Sequence, residues 1–131
     1  MTTEDFISLF CEEAGEDPVN IFEQGRQAGW LEAQDEAFRQ DPVTRKNVAR
    51  ILHMYLLKVR KIKDLDIKDA EVLRDLYDCR ICANHVAQMY LRDVMDAKDL
   101  MEGGGFLWFD LDGEDSKETN RVHIRRLLSI R

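Results

Sequence analysis

A chain of 131 residues, 44% hydrophobic and 34% charged, is long enough for one domain with its own core and too apolar to stay unfolded. No apolar run approaches the roughly 20 residues that a membrane-spanning helix needs, so no membrane role is expected. The net charge of -7 is unevenly spread. Residues 1–41 hold eleven acids and two bases, whereas residues 42–131 hold fifteen acids and seventeen bases. An acidic first third would repel phosphates, so direct nucleic-acid binding is not expected; the segment is a solvated face or meets a basic partner. The opening "MTTEDFISLFCEEAGED" has acids where a signal peptide carries bases. The chain as given is therefore expected in the cytoplasm, and at an extracellular wall only if a leader were removed. Three cysteines, Cys11, Cys79 and Cys82, suggest reduced thiols.

Residues 3–14 predict an amphipathic helix, with Phe6, Leu9, Phe10 and Ala14 on one face and Gly15 as its stop. Asp17 and Pro18 predict the cap and first position of a second helix, which continues toward "GWLEAQDEAF". Gly25 and Gly29 weaken that helix but permit close packing. "DPVTRKNVARILHMYLLKV" is the clearest helix: Pro42 restrains the entry, Thr44 is an N-cap residue, and Val48, Ile51, Leu52, Tyr55, Leu56 and Val59 form one stripe. The basic "KVRKIK" suits its C-terminal end. A short helix over 69–77 and a longer one over 79–95 follow. "MEGGGFLWFDLDGEDSKE" predicts a loop in which "FLWF" is briefly extended, before a last helix from about Glu118 to Ile130. The fold class is all-α, with about six helices.

Two stretches repeat. Residues 44–52 align with residues 120–128: a cap-type residue leads, Arg45 and Arg121 stand second, and apolar residues share the later spacing. Upstream, "QAGWLEAQD" (27–35) aligns with "LRDVMDAKD" (91–99). The offset is 64 upstream and 76 in the capped helix, so the second copy carries the Gly-rich loop as an insertion. Such repeats predict stacked helical hairpins sharing a core. The divisions are an N-terminal helix (1–16), a first unit (17–60) and a second unit (64–131), within one domain.

The order of helix, "AGWL", a loop with Phe38, then "DPVTR" and Ala49 resembles the S-layer homology (SLH) motif. Gly29, Trp30, Phe38, Pro42, Val43, Thr44, Arg45 and Ala49 carry the match over residues 18–58. Residues 64–128 match more loosely, and Lys46-Asn47 replace the usual Ala-Glu. The resemblance implies two degenerate hairpin units and a non-catalytic module that binds anionic cell-wall polysaccharide. In that family the Thr-Arg helix start serves anion recognition, which implies Thr44, Arg45, Arg121 and Trp30 as the ligand-binding residues. A helix N-terminus and a guanidinium fork suit such a ligand.

Other motifs compete for a role. Cys79, Cys82 and His85 share a helix face, and His53 or His123 could complete a zinc site, but no second C-x-x-C accompanies them, so no metal is expected. "DLDGEDSKE" resembles a calcium loop with its glycine misplaced, and an Asp115/Glu118 capping box explains it more simply. No catalytic motif is present and the three histidines fit satisfied, partly buried positions, so an enzyme is not expected and no cofactor is implied. Phe106, Leu107, Trp108 and Phe109 form an apolar cluster beside flexible glycines, suited to a protein partner or to self-association. The leading expectation is a binding module for an anionic ligand or a protein. The alternative is a small acidic phage or mobile-element inhibitor, of the anti-CRISPR or nucleic-acid-mimic kind.

Overall fold

The computed structural model describes residues 1–131 and is all-α, with six α-helices, a few shorter helical turns and no sheet. The helices are α1 (Thr3–Ala14), α2 (Ile21–Ala28), α3 (Ala33–Ala37), α4 (Arg45–Met54), α5 (Ala83–Leu91) and α6 (Lys117–Leu128). α4 packs on α5 and α1 on α6, so the chain's two ends meet. No helix is long and apolar enough to cross a membrane.

Local chemistry sets the helix ends. Thr2 and Asp5 form a reciprocal capping box at the start of α1, and Gly15 closes it in the left-handed region. Asp17 accepts from the amide of Val19 and makes a turn rather than a cap, so α2 begins later than expected, at Ile21. α4 passes into one π-helical turn over Tyr55–Val59, continuing the expected stripe to Val59. The short helix expected over 69–77 is two 3-10 turns, Lys68–Val72 and Leu76–Asp78. Between them Leu73 is extended and pairs with Leu107. Residues 79–82 form a turn ahead of α5 instead of its first turn. α6 is capped by Ser116, which accepts from the amide of Thr119, and not by Asp115.

The backbone repeats. At the end of α2, Trp30 and Leu31 both donate to the carbonyl of Gly25, at 3.0 and 3.2 Å, and Gly29 has φ of 90°. At the end of α5, Val94 and Met95 both donate to the carbonyl of Met89, at 2.9 and 3.1 Å, and Asp93 has φ of 58°. Every member of the second set lies 64 residues after its counterpart. Both pairs of following side chains, Trp30 and Leu31 and then Val94 and Met95, are buried. Gly25 is needed for the first of these turns: a Cβ there would meet Leu31 Cδ1 at 2.4 Å.

The capped helices repeat with a different register from the expected one. The caps Thr44 and Ser116, and the helix starts Arg45 and Lys117, are 72 residues apart rather than 76. Under this offset Val48, Ile51, Leu52 and Tyr55 match Asn120, His123, Ile124 and Leu127, all of them buried. Positions i and i+4 share a helix face, so an apolar stripe alone cannot separate 72 from 76. Arg121 therefore lies in the second turn of α6, and Lys117 occupies the place that matches Arg45.

The core gathers apolar side chains from α1, α2, α4, α5 and α6 and from the segments between them, whereas α3 buries only Asp35. Phe10, Trp30 and Tyr55 form an aromatic triad with ring centroids 4.7 to 5.1 Å apart. Ile51, Leu52, Val86, Met89, Ile124 and Leu127 fill the space between α4, α5 and α6.

Candidate functional site

Arg45 lies at the first position of α4, yet its side chain is only 2% exposed. Its Nε donates to the carbonyl of Phe109 at 2.8 Å and one terminal nitrogen to the carbonyl of Asp96 at 2.7 Å. The other terminal nitrogen pairs with the Asp115 carboxylate, and the guanidinium stands 4.7 Å from the centre of the Phe109 ring. The free amides of α4 are also taken: Arg45 donates to Gly113 and Lys46 to Leu111. Arg45 does hold an anion, but the anion belongs to its own chain. The helix start is a clamp that draws residues 96–115 onto α4.

Arg121 has the same fate. It binds Glu13 of α1 at 3.0 Å, and Arg125 joins the same carboxylate. The hydrogen bond from Arg125, followed by those from Arg121, holds the Glu13 carboxyl below its usual range. Trp30 is buried in the aromatic triad. Thr44 occupies the N-cap, but its hydroxyl caps nothing and is buried without a partner. The structure does not bring Thr44, Arg45, Arg121 and Trp30 together on one surface. Arg45 and Arg121 serve separate inter-element contacts.

The carboxylates of the calcium-like loop are shared among cations of the chain. Asp110 pairs with Lys98, Asp112 with Lys46, and Asp115 with Arg45. Asp75 is buried and accepts from the amides of Phe109, Asp110 and Leu111 at 2.8, 2.8 and 3.3 Å. Arg45 and Asp75 together fix the backbone that carries the aromatic cluster.

That cluster divides. Phe109 is wholly buried, and the Trp108 indole nitrogen is buried without a partner. Phe106 and Leu107 face out, at 41% and 36% exposure. Trp108 pairs with Lys98 by two antiparallel hydrogen bonds, and Leu107 accepts from the amide of Arg74 at 2.8 Å. Arg74 lies over the Phe106 ring, 3.9 Å from its centre. The same part of the chain carries further exposed apolar side chains: Val72, Tyr77, Ile81, Leu100 and Met101. Ile81, at 88%, is the most exposed of the large hydrophobic residues. A hollow of about 290 Å³ is lined by Leu100, Trp108 and Cys79 among others, and a separate one of about 600 Å³ by Ile67, Tyr77, Arg80, Ala83 and Asn84. Eight of the eleven exposed large hydrophobics fall between residues 65 and 107, so the exposure is concentrated.

Val72, Tyr77, Ile81, Leu100 and Met101 escape a reading based on helical stripes. They sit in 3-10 turns and short loops, where no periodicity marks a side as inner or outer. Ile81, an apolar residue inside the C-x-x-C turn, was the available signal.

Each histidine has at least one ring nitrogen within hydrogen-bond distance of another side chain. Asp64 accepts from or pairs with His53 Nε2 at 2.6 Å, and His53 Nδ1 meets His85 Nδ1 at 2.7 Å. Burial, then the neighbouring His53, pushes His85 down to about 4. Burial likewise takes His123 to about 4. Cys79 and Cys82 are joined as a disulfide, in place of the three free thiols expected, and only Cys11 is free. The C-x-x-C turn brings their Cα atoms to 5.2 Å, within ordinary disulfide reach. No group of three or more His, Cys, Asp or Glu side chains is arranged to hold a metal ion.

No protein-family model matches the chain, and no curated protein or solved structure shows significant similarity to it.

Proposed function

We propose that the chain is a non-catalytic, SLH-like binding module whose ligand is a protein, met through the apolar face around Phe106, Leu107, Val72, Tyr77, Ile81 and Leu100. The observation that carries this reading is that eight of the eleven exposed large apolar side chains fall within residues 65–107, next to a backbone that Arg45 and Asp75 hold at Asp96 and Phe109–Leu111. Exposed apolar residues on a rigid frame lose little entropy on binding, and a hydrophobic centre with a charged rim is the usual make-up of a protein interface. Arg74 and Arg80 supply cations at the rim, and Glu71 and Asp78 supply anions.

The repeated helix endings, 64 residues apart, support the SLH-like part of the reading. They do not favour an anionic wall polymer, because the guanidiniums of Arg45 and Arg121 already hold Asp115 and Glu13. The acidic-inhibitor alternative draws less support. Of the eleven acids in residues 1–41, Glu4, Glu13, Glu32, Asp35 and Glu36 are ion-paired within the chain, which thins the negative field of a nucleic-acid mimic.

The test places a photo-crosslinking residue at Leu107 or Ile81, and as a control at exposed Val19, in the organism that makes the protein. The reading requires one discrete adduct from 107 and 81, absent from 19, and lost when Phe106 and Tyr77 are changed to Glu. Equal labelling from all three positions overturns it. So does retention of the chain on purified anionic wall polysaccharide that disappears in Arg45→Ala while the fold survives.

A further inference from the structure

The disulfide between Cys79 and Cys82 has no evident structural task. It closes a turn of three-residue separation and links no two distant elements. So short a loop restricts the unfolded chain little, and opening it frees little. The bridge is also reachable. Both cysteines are partly exposed, Arg80 and Ile81 between them are exposed, and Cys79 lines the hollow shared with Leu100 and Trp108. Cys11, by contrast, is buried.

The two sulfurs are not equivalent. Cys82 is the N-cap residue of α5, nine residues long, so a thiolate released there faces the positive end of a helix. His85 follows three residues on, on the same face of α5. When both imidazoles are neutral, the Asp64 carboxylate accepts a hydrogen bond from His53 Nε2–H. His53 Nδ1 must then accept from His85 Nδ1–H. His85 is left with a bare Nε2, which no group of the chain engages. His53, Asp64 and Arg50 are the charged or titratable groups acting on His85.

We propose that Cys79 and Cys82 form a reversible dithiol–disulfide site that exchanges two electrons with the dithiol of a thioredoxin-class partner. A thiolate of the partner attacks Cys79 Sγ, the Cys79–Cys82 bond breaks, and Cys82 leaves as a thiolate. The second partner thiolate then attacks the partner sulfur of the mixed disulfide and releases Cys79. The partner's two thiols become its disulfide, and two electrons and two protons pass to Cys79 and Cys82. The two protons released by the partner's thiols reach Cys79 and Cys82 through water. The chemistry does not depend on which protein occupies the apolar face.

The experiment equilibrates the folded protein with glutathione and dithiothreitol buffers of graded potential. Free thiols are trapped with N-ethylmaleimide and counted by mass spectrometry. Cys79 and Cys82 are expected to gain label together, with a midpoint inside the range that glutathione covers, while Cys11 stays unlabelled and the circular dichroism is unchanged. A pair that resists reduction until the chain unfolds, or that is already reduced in the most oxidising buffer, overturns the proposal. In single variants, the Cys82 thiol of Cys79→Ser should have a lower pKa than the Cys79 thiol of Cys82→Ser, read from iodoacetamide alkylation rates against pH, because the better leaving sulfur is the one at the helix start. The reverse order overturns the assignment of Cys79 as the sulfur attacked. His85→Ala should leave the rate of reduction by dithiothreitol within about twofold and the midpoint unchanged, and a fall of about 100-fold would overturn proton delivery by water.

Discussion

Replacing Arg45 with alanine tests how the second half of the chain is held. The side chain makes three charge-assisted hydrogen bonds, to the carbonyls of Phe109 and Asp96 and to Asp115. Each is worth about 1.5–3 kcal/mol where both partners are buried. The variant leaves Asp115, only 8% exposed, with the more distant Lys98 at 3.6 Å as its remaining cation. Removing one member of a buried ion pair costs about 3–5 kcal/mol, because the other charge stays buried and unpaired. At a urea slope of about 2 kcal/mol per molar, the midpoint should fall by about 2 M. Equilibrium unfolding followed by Trp fluorescence and circular dichroism measures this directly. The pair Arg45→Met with Asp115→Leu should recover most of the loss, since no charge is then orphaned. A loss below about 1 kcal/mol in Arg45→Ala would refute the clamp and return Arg45 to the surface as a free anion receptor.

Gly25→Ala should cost about 1–3 kcal/mol in the same unfolding assay, because its Cβ meets Leu31 at 2.4 Å; a neutral result contradicts the tight turn. Asp75→Ala removes the acceptor of three amides and should raise hydrogen exchange at Phe109, Asp110 and Leu111 more than elsewhere, as read by mass spectrometry. His85 and His123 both titrate near 4 in the fold, against an ordinary value of 6.5. The unfolded chain therefore binds protons first, and stability should be full above about pH 6.5 and fall as pH drops toward 4, by about 1.4 kcal/mol per unit for each histidine at most. Screening at the partly exposed His85 reduces its share. Urea midpoints across that window check the sign, and a rise in stability on acidification refutes it. Leu107→Glu and Ile81→Glu, on exposed positions, should each change stability by no more than about 0.5 kcal/mol, while the first removes the adduct formed from position 81 and the second that formed from position 107.

Much of the fold was legible because amphipathic spacing reports which side of a helix is buried. The α1 stripe through Phe6, Leu9 and Phe10 and the α4 stripe through Val48, Ile51 and Leu52 both face the core. The matching ends of α2 and α5 were legible at an offset of 64, since Gly29 and the apolar pair after it leave a local signature. The start of α6 was not, because a shift of one turn preserves the stripe and only the true cap, Ser116, fixes the phase. Arg45 shows the limit most clearly. Its need for an anion was readable from its type and place at a helix start. That Asp115, 70 residues on, meets the need is a consequence of tertiary packing. Likewise, the link from Asp64 through His53 to His85 crosses elements whose sequence separations carry no pattern.

The most direct measurement of the central claim is the crosslinking comparison in the producing organism between Leu107 and Ile81 on the apolar face and Val19 away from it. A single protein adduct at 107 and 81, absent at 19 and lost with the Phe106→Glu and Tyr77→Glu changes, is the outcome expected of a protein-binding module. Adducts of the same pattern and yield at all three positions would contradict it.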